Sequence, residues 1–318
     1  MTTSQFPGLQ DIKRAAERIR PFAHRTPVLT CAGLNRLGDT ELFFKCENFQ
    51  KVGAFKFRGA CNAVLSLSDA EAARGVATHS SGNHAQAVAL AARLRGIPAH
   101  IVMPENAPAV KRKAVQGYGA DITLCAPTLA AREETLEAVV RQTGAAFIHP
   151  YNDERVILGQ ATAALELLDE IPDLDVILAP VGGGGLLSGT ALAAAELAPA
   201  LRVIGAEPEA ADDAHRSLQA GTLLPADNPQ TVADGLRTSL GPLTFSILRE
   251  YVDDIITVSE ESIVAAMRHL WERMKILVEP SAAVPLAAVL THRNAFHLLR
   301  VGIILSGGNV DLDRLPWM

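Results

Sequence analysis

Lys56 stands in "ENFQKVGAFKFRGA", between Phe55 and Phe57, with Gly53 before it and Gly59 after it. An ammonium among apolar neighbours has its charged form disfavoured, so its pKa falls and the amine becomes a nucleophile able to form an imine. The same residues also read as a half-buried strand, with the phenylalanines inward and Lys56 reaching out to water. "APVGGGGLLSG" holds Gly182, Gly183, Gly184 and Gly185 between a buried strand and a helix. Their N–H groups converge at a helix start, which suits a phosphate. The run satisfies neither GxGxxG nor the GK[ST] of a P-loop. Glu207, ending the next strand, stands where a dinucleotide fold places its ribose-binding acid, which keeps a nicotinamide-binding protein as an alternative.

Three further stretches carry polar groups at strand ends. In "THSSGNHAQA", Ser80, Ser81 and Asn83 are capping residues, and the free N–H groups around them also suit a carboxylate. His84 by itself is more often structural. "LSGGNVD" puts Ser306 at the carboxyl end of the last strand, where ligands of open α/β sheets collect. "AEPEAADDA" groups Glu207, Glu209, Asp212 and Asp213, either as a solvated acidic loop or as hard oxygen ligands for Mg²⁺ or Ca²⁺.

Positioning such groups takes a regular scaffold, and the pattern supplies one. Strand-like runs ("GVATHS", "IPAHIVMP", "ADITLC", "DVILAPVG", "LRVIGAEP", "RVGIILSGG") alternate with helical ones such as "NHAQAVALAARLRG" and "VILGQATAALELLDEIP". That alternation predicts a mostly parallel sheet covered by helices. Strands near 76–79, 98–103, 121–125 and 146–150 follow one another closely enough to form a smaller sheet of their own, with crossings near residues 77 and 150. Ile263, Met267, Leu270, Met274 and Leu277 fall on one predicted helical face. The 318 residues carry 29 basic and 35 acidic side chains, a net charge of −6 with no basic run, which argues against nucleic acid as a partner. No apolar stretch reaches membrane length, the first twenty residues have no signal-peptide core, and four cysteines lack CxxC spacing. The expectation is a reduced, cytoplasmic protein.

A softened lysine, a phosphate cup, a carboxylate-binding helix start and a neutral hydroxyl together suit a phosphorylated aldehyde held by lysine; a dinucleotide has no use for Lys56. Across "RTPVLT", "FFKCENFQKVGAFKFRGA", "THSSGNHAQA", "VGGGGLLSG", "VADGL", "WERMKILVEPSAAV" and "LSGGNVDLD", the sequence resembles the fold-type II pyridoxal-phosphate enzymes. The resemblance is to the branch of serine racemase, serine/threonine dehydratases and 3-hydroxyaspartate dehydratases. It implies an α/β protein with two open, mostly parallel sheets covered by helices, as in the tryptophan synthase β-like fold. Residues 1–77 and 150–318 would form a large cofactor-binding domain, and 78–149 a small one.

Residue by residue, the resemblance implies that Lys56 holds pyridoxal 5'-phosphate as a Schiff base and, once released, takes the substrate α-proton. Gly182, Gly183, Gly184 and Gly185 would bind the phosphate, Asn83 the ring hydroxyl and Ser306 the pyridine nitrogen. Ser80, Ser81, Gly82, Asn83 and His84 would grip the substrate α-carboxylate, with Ser81 on the face of the α-carbon opposite Lys56. Glu207, Asp213 and the Ala211 carbonyl match a divalent cation site for Mg²⁺, Ca²⁺ or Mn²⁺. Arg132, a cation opening the predicted helix 130–143 against its dipole, matches an arginine that reaches a substrate's side-chain carboxylate. The implied enzyme is a homodimeric dehydratase, or ammonia-lyase, of a small β-hydroxy-amino acid, leaning to 3-hydroxyaspartate, with serine racemase or threonine ammonia-lyase as alternatives. Ala85 and Tyr151 depart from the pattern, replacing a frequent glycine and the mammalian racemase's asparagine; the second puts nucleotide activation in doubt. Twelve residues follow Ser306, so no regulatory domain of the threonine-deaminase kind is expected.

Overall fold

The structure, a computed structural model, describes residues 6–80, 82–107 and 109–318. Its larger sheet has six strands in the order β1-β2-β10-β7-β8-β9. These are β1 (Val28–Leu29), β2 (Glu41–Cys46), β7 (Val176–Pro180), β8 (Arg202–Pro208), β9 (Asp254–Val258) and β10 (Arg300–Leu305). Only β1 runs antiparallel to its neighbour. The smaller sheet is wholly parallel, in the order β5-β4-β3-β6, from β3 (Val76–His79), β4 (Ala99–Pro104), β5 (Asp121–Cys125) and β6 (Ala146–Phe147).

Alternation along each strand feeds two apolar layers. Val176 and Leu178 of β7 join one core cluster, while Ile177 and Ala179 join the other, so a strand apolar at every position is buried on both faces. In the small sheet Val76, Ile101 and Met103 belong to one layer and Ala77 and Val102 to the other.

Four helices place the site: the lysine helix Lys56–Leu65, the asparagine helix Asn83–Arg95, the bridging helix Glu154–Glu170 and the glycine-loop helix Gly185–Leu197. The bridging helix lies between the first and the last of these. Its Gly159 approaches the lysine helix so closely that an added Cβ would stand 2.5 Å from the Arg58 carbonyl oxygen. On its other side, a Cβ on Gly189 would stand 2.6 Å from the Ala161 nitrogen. Backbone-to-backbone contact of this kind leaves no room for adjustment, so the spacing from lysine to glycine loop is set by packing.

Two expectations change here. The stretch around Lys56 is the start of a helix rather than a strand, with Phe57 fully buried in its first turn. The helical face stops short of Leu277: the α-helix Glu260–His269 passes into a π-turn over Leu270–Met274, and Lys275 takes a left-handed conformation. Leu277 then lies beyond the helix, 49% exposed.

Candidate active site

Strands β2, β10, β7 and β8 are parallel, so their carboxyl ends lie along one edge of the large sheet, where ligands of such sheets gather. Lys56 is brought to that edge by a loop zipped to the end of β10. Phe55 N donates to the Ser306 carbonyl at 2.9 Å, Gly308 N donates to Gly53 O at 2.9 Å, and Ala54 bridges Gly307. Val52 adopts φ +57° there, an uncommon state for a β-branched residue, and Asn309 Nδ2 holds its carbonyl at 2.7 Å. The Lys56 side chain is half-buried, its Nζ 5.1 Å from the Phe55 ring centroid and donating to the Pro150 carbonyl at 2.9 Å. Burial pulls its pKa down to about 8, against the opposing charge of Glu279. The softened lysine expected from its flanks is thus present, although on a helix.

The glycine run forms a turn from β7 into its helix. Gly184, at φ +82°, is the N-cap, and no side chain caps the helix, leaving first-turn N–H groups for an anion. A Cβ on Gly183 would come within 2.2 Å of the Tyr151 ring, so that ring lies directly over the loop. These features fit a phosphate-bearing group. Ser306 is 3% exposed at the end of β10, on the lysine's side of the edge.

The asparagine helix begins just after β3. Its N-cap Gly82 makes no side-chain cap, and Gly82 N donates to Ser80 Oγ at 3.2 Å. Asn83 Nδ2 donates to both carboxylate oxygens of Glu279, at 3.0 and 3.1 Å, while its Oδ1 accepts from Asn309 Nδ2 at 2.9 Å. His84 is buried, and its Nε2 lies 3.1 Å from the Ile148 carbonyl. Burial holds its pKa well below the usual imidazole range. Its Nδ1 is buried with no partner, so the ring and the His84 backbone both keep a group open for the expected carboxylate grip. Ser81 lies outside the described residues.

Glu279, inside "WERMKILVEPSAAV", and His149, outside every quoted motif, were given no role by the sequence. Glu279 is 5% exposed, precedes Pro280 at a helix start, and accepts from Asn309 N at 3.1 Å. Burial raises its pKa to about 7, against the pull of the Asn83 hydrogen bond. His149 Nδ1 accepts from Tyr151 N at 3.2 Å and Asn152 N at 2.8 Å, which leaves its proton on Nε2. Burial, with His79 and Lys56 nearby, lowers its pKa to about 4, so it stays neutral. Its only signal in the sequence was a place at the end of a strand.

Arg132 lies in the first turn of the helix Leu129–Thr143, its Nε donating to the Thr128 carbonyl at 3.3 Å. Its charge is felt by His79, at the end of β3, and by Tyr151, whose ring lies over the glycine loop. At the end of β8, Glu207 and Asp213 are both fully buried. Glu207 accepts from Ala214 N at 3.1 Å and His215 N at 2.9 Å, and Asp213 Oδ2 accepts from Leu240 N at 3.2 Å. Asp213 Oδ1 is buried with no partner. Burial raises both carboxyls, Glu207 to about 9 and Asp213 to about 6. An orphaned oxygen beside a second buried carboxyl fits a cation, although the described residues include no cluster of three or more acidic, histidine or cysteine side chains poised for a metal.

Comparison with known proteins follows the same lines. The chain is 54% identical over 311 residues to beta-hydroxyaspartate dehydratase of Paracoccus denitrificans, covering 98% of this chain and 99% of that one. It is 50% identical over 310 residues to L-threo-3-hydroxyaspartate ammonia-lyase of Saccharomyces cerevisiae, covering 97% and 95%. The crystal structure of serine racemase from Dictyostelium discoideum superposes with a TM-score of 0.92 at 50% identity, covering 96% of this chain and 99% of that one. These similarities remove the nicotinamide reading of the glycine loop and Glu207. The profile of the family described as "Pyridoxal-phosphate dependent enzyme" matches residues 19–307, and the chain belongs to that family.

Proposed function

We propose that the protein is a dehydratase acting on 3-hydroxyaspartate, releasing oxaloacetate and ammonia, with serine and threonine as poorer substrates. The observation that carries the choice is Arg132, a cation in the first turn of the helix Leu129–Thr143 whose charge is felt by Tyr151, the ring over the glycine loop. A guanidinium offers a side-chain carboxylate two parallel hydrogen bonds and offers the methyl of threonine nothing. The dehydratase and ammonia-lyase relatives named for hydroxyaspartate support the same choice.

Pyridoxal phosphate, when bound, supplies the electron sink that makes the α-proton acidic. Lys56 would hold it, the amides of Gly182, Gly183, Gly184 and Gly185 its phosphate, Asn83 its ring hydroxyl and Ser306 its ring nitrogen. The first-turn amides at Gly82, Asn83 and His84, with Ser80 and Ser81, would hold the α-carboxylate. Lys56 Nζ takes the α-proton; with its pKa lowered to about 8, roughly a tenth of it is free amine at pH 7, a share that grows as pH rises. The β-hydroxyl leaves as water, and the released enamine hydrolyses to the keto acid and ammonia. Ser81 acts on the opposite face of the α-carbon, the route by which racemisation would accompany dehydration.

Glu207, Asp213 and the Ala211 carbonyl would hold Mg²⁺, Ca²⁺ or Mn²⁺ as a structural ion. The same reading divides the chain into 1–77 with 150–318 and a small domain of 78–149, and takes it as a cytoplasmic homodimer. Among the described residues no helix is long and apolar enough to cross a membrane.

A panel of 3-hydroxyaspartate, serine and threonine isomers, read by keto-acid release, tests this proposal. The highest kcat/KM should fall on a 3-hydroxyaspartate isomer. A best rate on threonine would make it a threonine ammonia-lyase. Enantiomer exchange faster than keto-acid release would make it a racemase, as the Dictyostelium likeness favours. A bound chromophore without turnover of any of them would leave a carrier.

A further inference from the structure

The first turn of the lysine helix carries a second cation, one the reaction does not use. Arg58 is fully buried, two residues after Lys56. Its Nε and Nη2 donate to Glu47 Oε2 and Oε1 at 2.8 and 2.9 Å, and its Nη1 and Nη2 donate to Glu166 Oε1 and Oε2 at 2.8 and 2.7 Å. Thr162 Oγ1 and the His24 carbonyl accept from the same guanidinium at 3.2 and 3.3 Å. One side chain is thus forked on two sides, to the turn that follows β2 and to the bridging helix. Lys45 of β2 completes the group, with Nζ donating to Glu166 Oε2 at 2.7 Å and to the Thr26 carbonyl at 2.6 Å.

Two cations, Lys45 and Arg58, face two carboxylates, Glu47 and Glu166, and the charges cancel. Burial works to raise the Glu166 carboxyl, but hydrogen bonds and charge from Arg58 and Lys45 outweigh it and hold it below the usual carboxylate range. Charges buried in this way stabilise a fold no better than apolar residues of the same size, so stability gives no reason for them. A fixed geometry does: planar forks accept little rotation or sliding.

We propose that Arg58, held in this charge-neutral clamp, is the positioning residue for Lys56. It fixes the first turn of the lysine helix against β2 and the bridging helix, and so sets where the amine stands relative to the glycine loop. Because the clamp sums to zero charge, it does so without biasing the lysine's proton; the groups that face Lys56 Nζ itself are Glu279, His84 and His149. The proposal rests on Lys56 being the reactive lysine.

Three variants test it. Arg58→Lys keeps the charge and loses the double fork; with placement within an ångström at stake, kcat should fall about a hundredfold while KM stays within about threefold. In protein stripped of cofactor, Lys56 labelling by an amine-directed reagent, followed by peptide mass spectrometry, gives a pH midpoint for the amine. That midpoint should stay put in Arg58→Lys, fall in Glu166→Gln, which leaves a positive charge uncompensated, and rise in Arg58→Met. Should Arg58→Met fail to fold, the other two decide. A parental kcat per folded, cofactor-loaded site in Arg58→Lys, whatever its melting temperature, overturns the proposal; so does a Glu166→Gln midpoint that stays put or rises. Turnover surviving in Lys56→Ala would instead show that the reading of Lys56 had failed.

Discussion

Two sets of buried charge in this molecule are built on opposite plans. Around Arg58, two cations meet two carboxylates and every nitrogen of the guanidinium has an acceptor. At the end of β8, Glu207 and Asp213 meet only backbone N–H groups, and one oxygen of Asp213 meets nothing. Arg58, Lys45 and Glu47 are as deeply buried as Glu207 and Asp213, and Glu166 alone is partly exposed. The first is complete as it stands, whereas the second puts two acids where burial opposes the ionisation of both and a cation would favour it. Depth therefore does not mark a ligand site; unbalanced charge does. Arg132 is the same case with the opposite sign, a cation whose hydrogen bond goes to a carbonyl of its own turn.

The largest expected effect tests what the balanced set supports. Lys56→Ala should abolish the lysine–cofactor absorption and turnover to the detection limit, with the melting temperature of the cofactor-free protein nearly unchanged. A mutant that stays yellow through another borohydride-reducible lysine would break the assignment. Next is the unbalanced cation: Arg132→Ala should lose about a hundredfold in kcat/KM on 3-hydroxyaspartate and little on serine, as expected when a charged partner is lost. Equal losses on both substrates would reduce Arg132 to a structural part.

The unbalanced acids come third. At a hundredfold excess over its dissociation constant, Mg²⁺, Ca²⁺ or Mn²⁺ should add about 2.7 kcal/mol, seen as a rise of several degrees in melting temperature, and Glu207→Gln should remove that rise. A melting temperature indifferent to both chelator and metal would return the pair to an acidic turn. The smallest effect is a slope. Burial holds the folded pKa of Glu279 at about 7, above the ordinary 4.5 of the unfolded chain, so the native state keeps the extra proton between those values. The contribution is complete below about pH 4.5 and is lost as pH rises towards 7. Urea melts of cofactor-free protein at stepped pH should show this decline added to those of Glu207 and Asp213, and Glu279→Gln should make the slope shallower without removing it.

Much of this was legible in the sequence, because the signals were local. Apolar runs such as "VILAP" and their alternation with helical stretches marked the parallel sheets, and the glycine run, Ser306 and Asn83 each sat at a strand end. What stayed hidden depends on residues far apart. Arg58 drew no role from the sequence because its partners lie 11 positions before it and 108 after it. Glu279 drew no role because Asn83, which donates to its carboxylate, lies 196 positions away. The Phe-Lys-Phe alternation suggested a strand by period alone. Its helix starts because Phe55 is pinned to Ser306, a contact no local pattern contains. Leu277 failed for the opposite reason: a single left-handed residue ended a helix that periodicity would have continued.

The pairing of β2 with β10 also bears on when the enzyme becomes competent during synthesis. β2 occupies residues 41–46 and β10 residues 300–305, and Phe55 is held by Ser306. At ordinary elongation speeds, roughly 5–20 residues per second, tens of seconds separate the emergence of Lys56 from that of its clasp. Through that interval the helix beginning at Lys56 has no β10 to lean on, and the central place beside β2 stays open, an unpaired edge that invites wrong partners. Closing a loop this long is slow compared with forming the helices inside it. The nascent chain therefore exposes Lys56 early and gains the contacts that fix its surroundings among its last folding events.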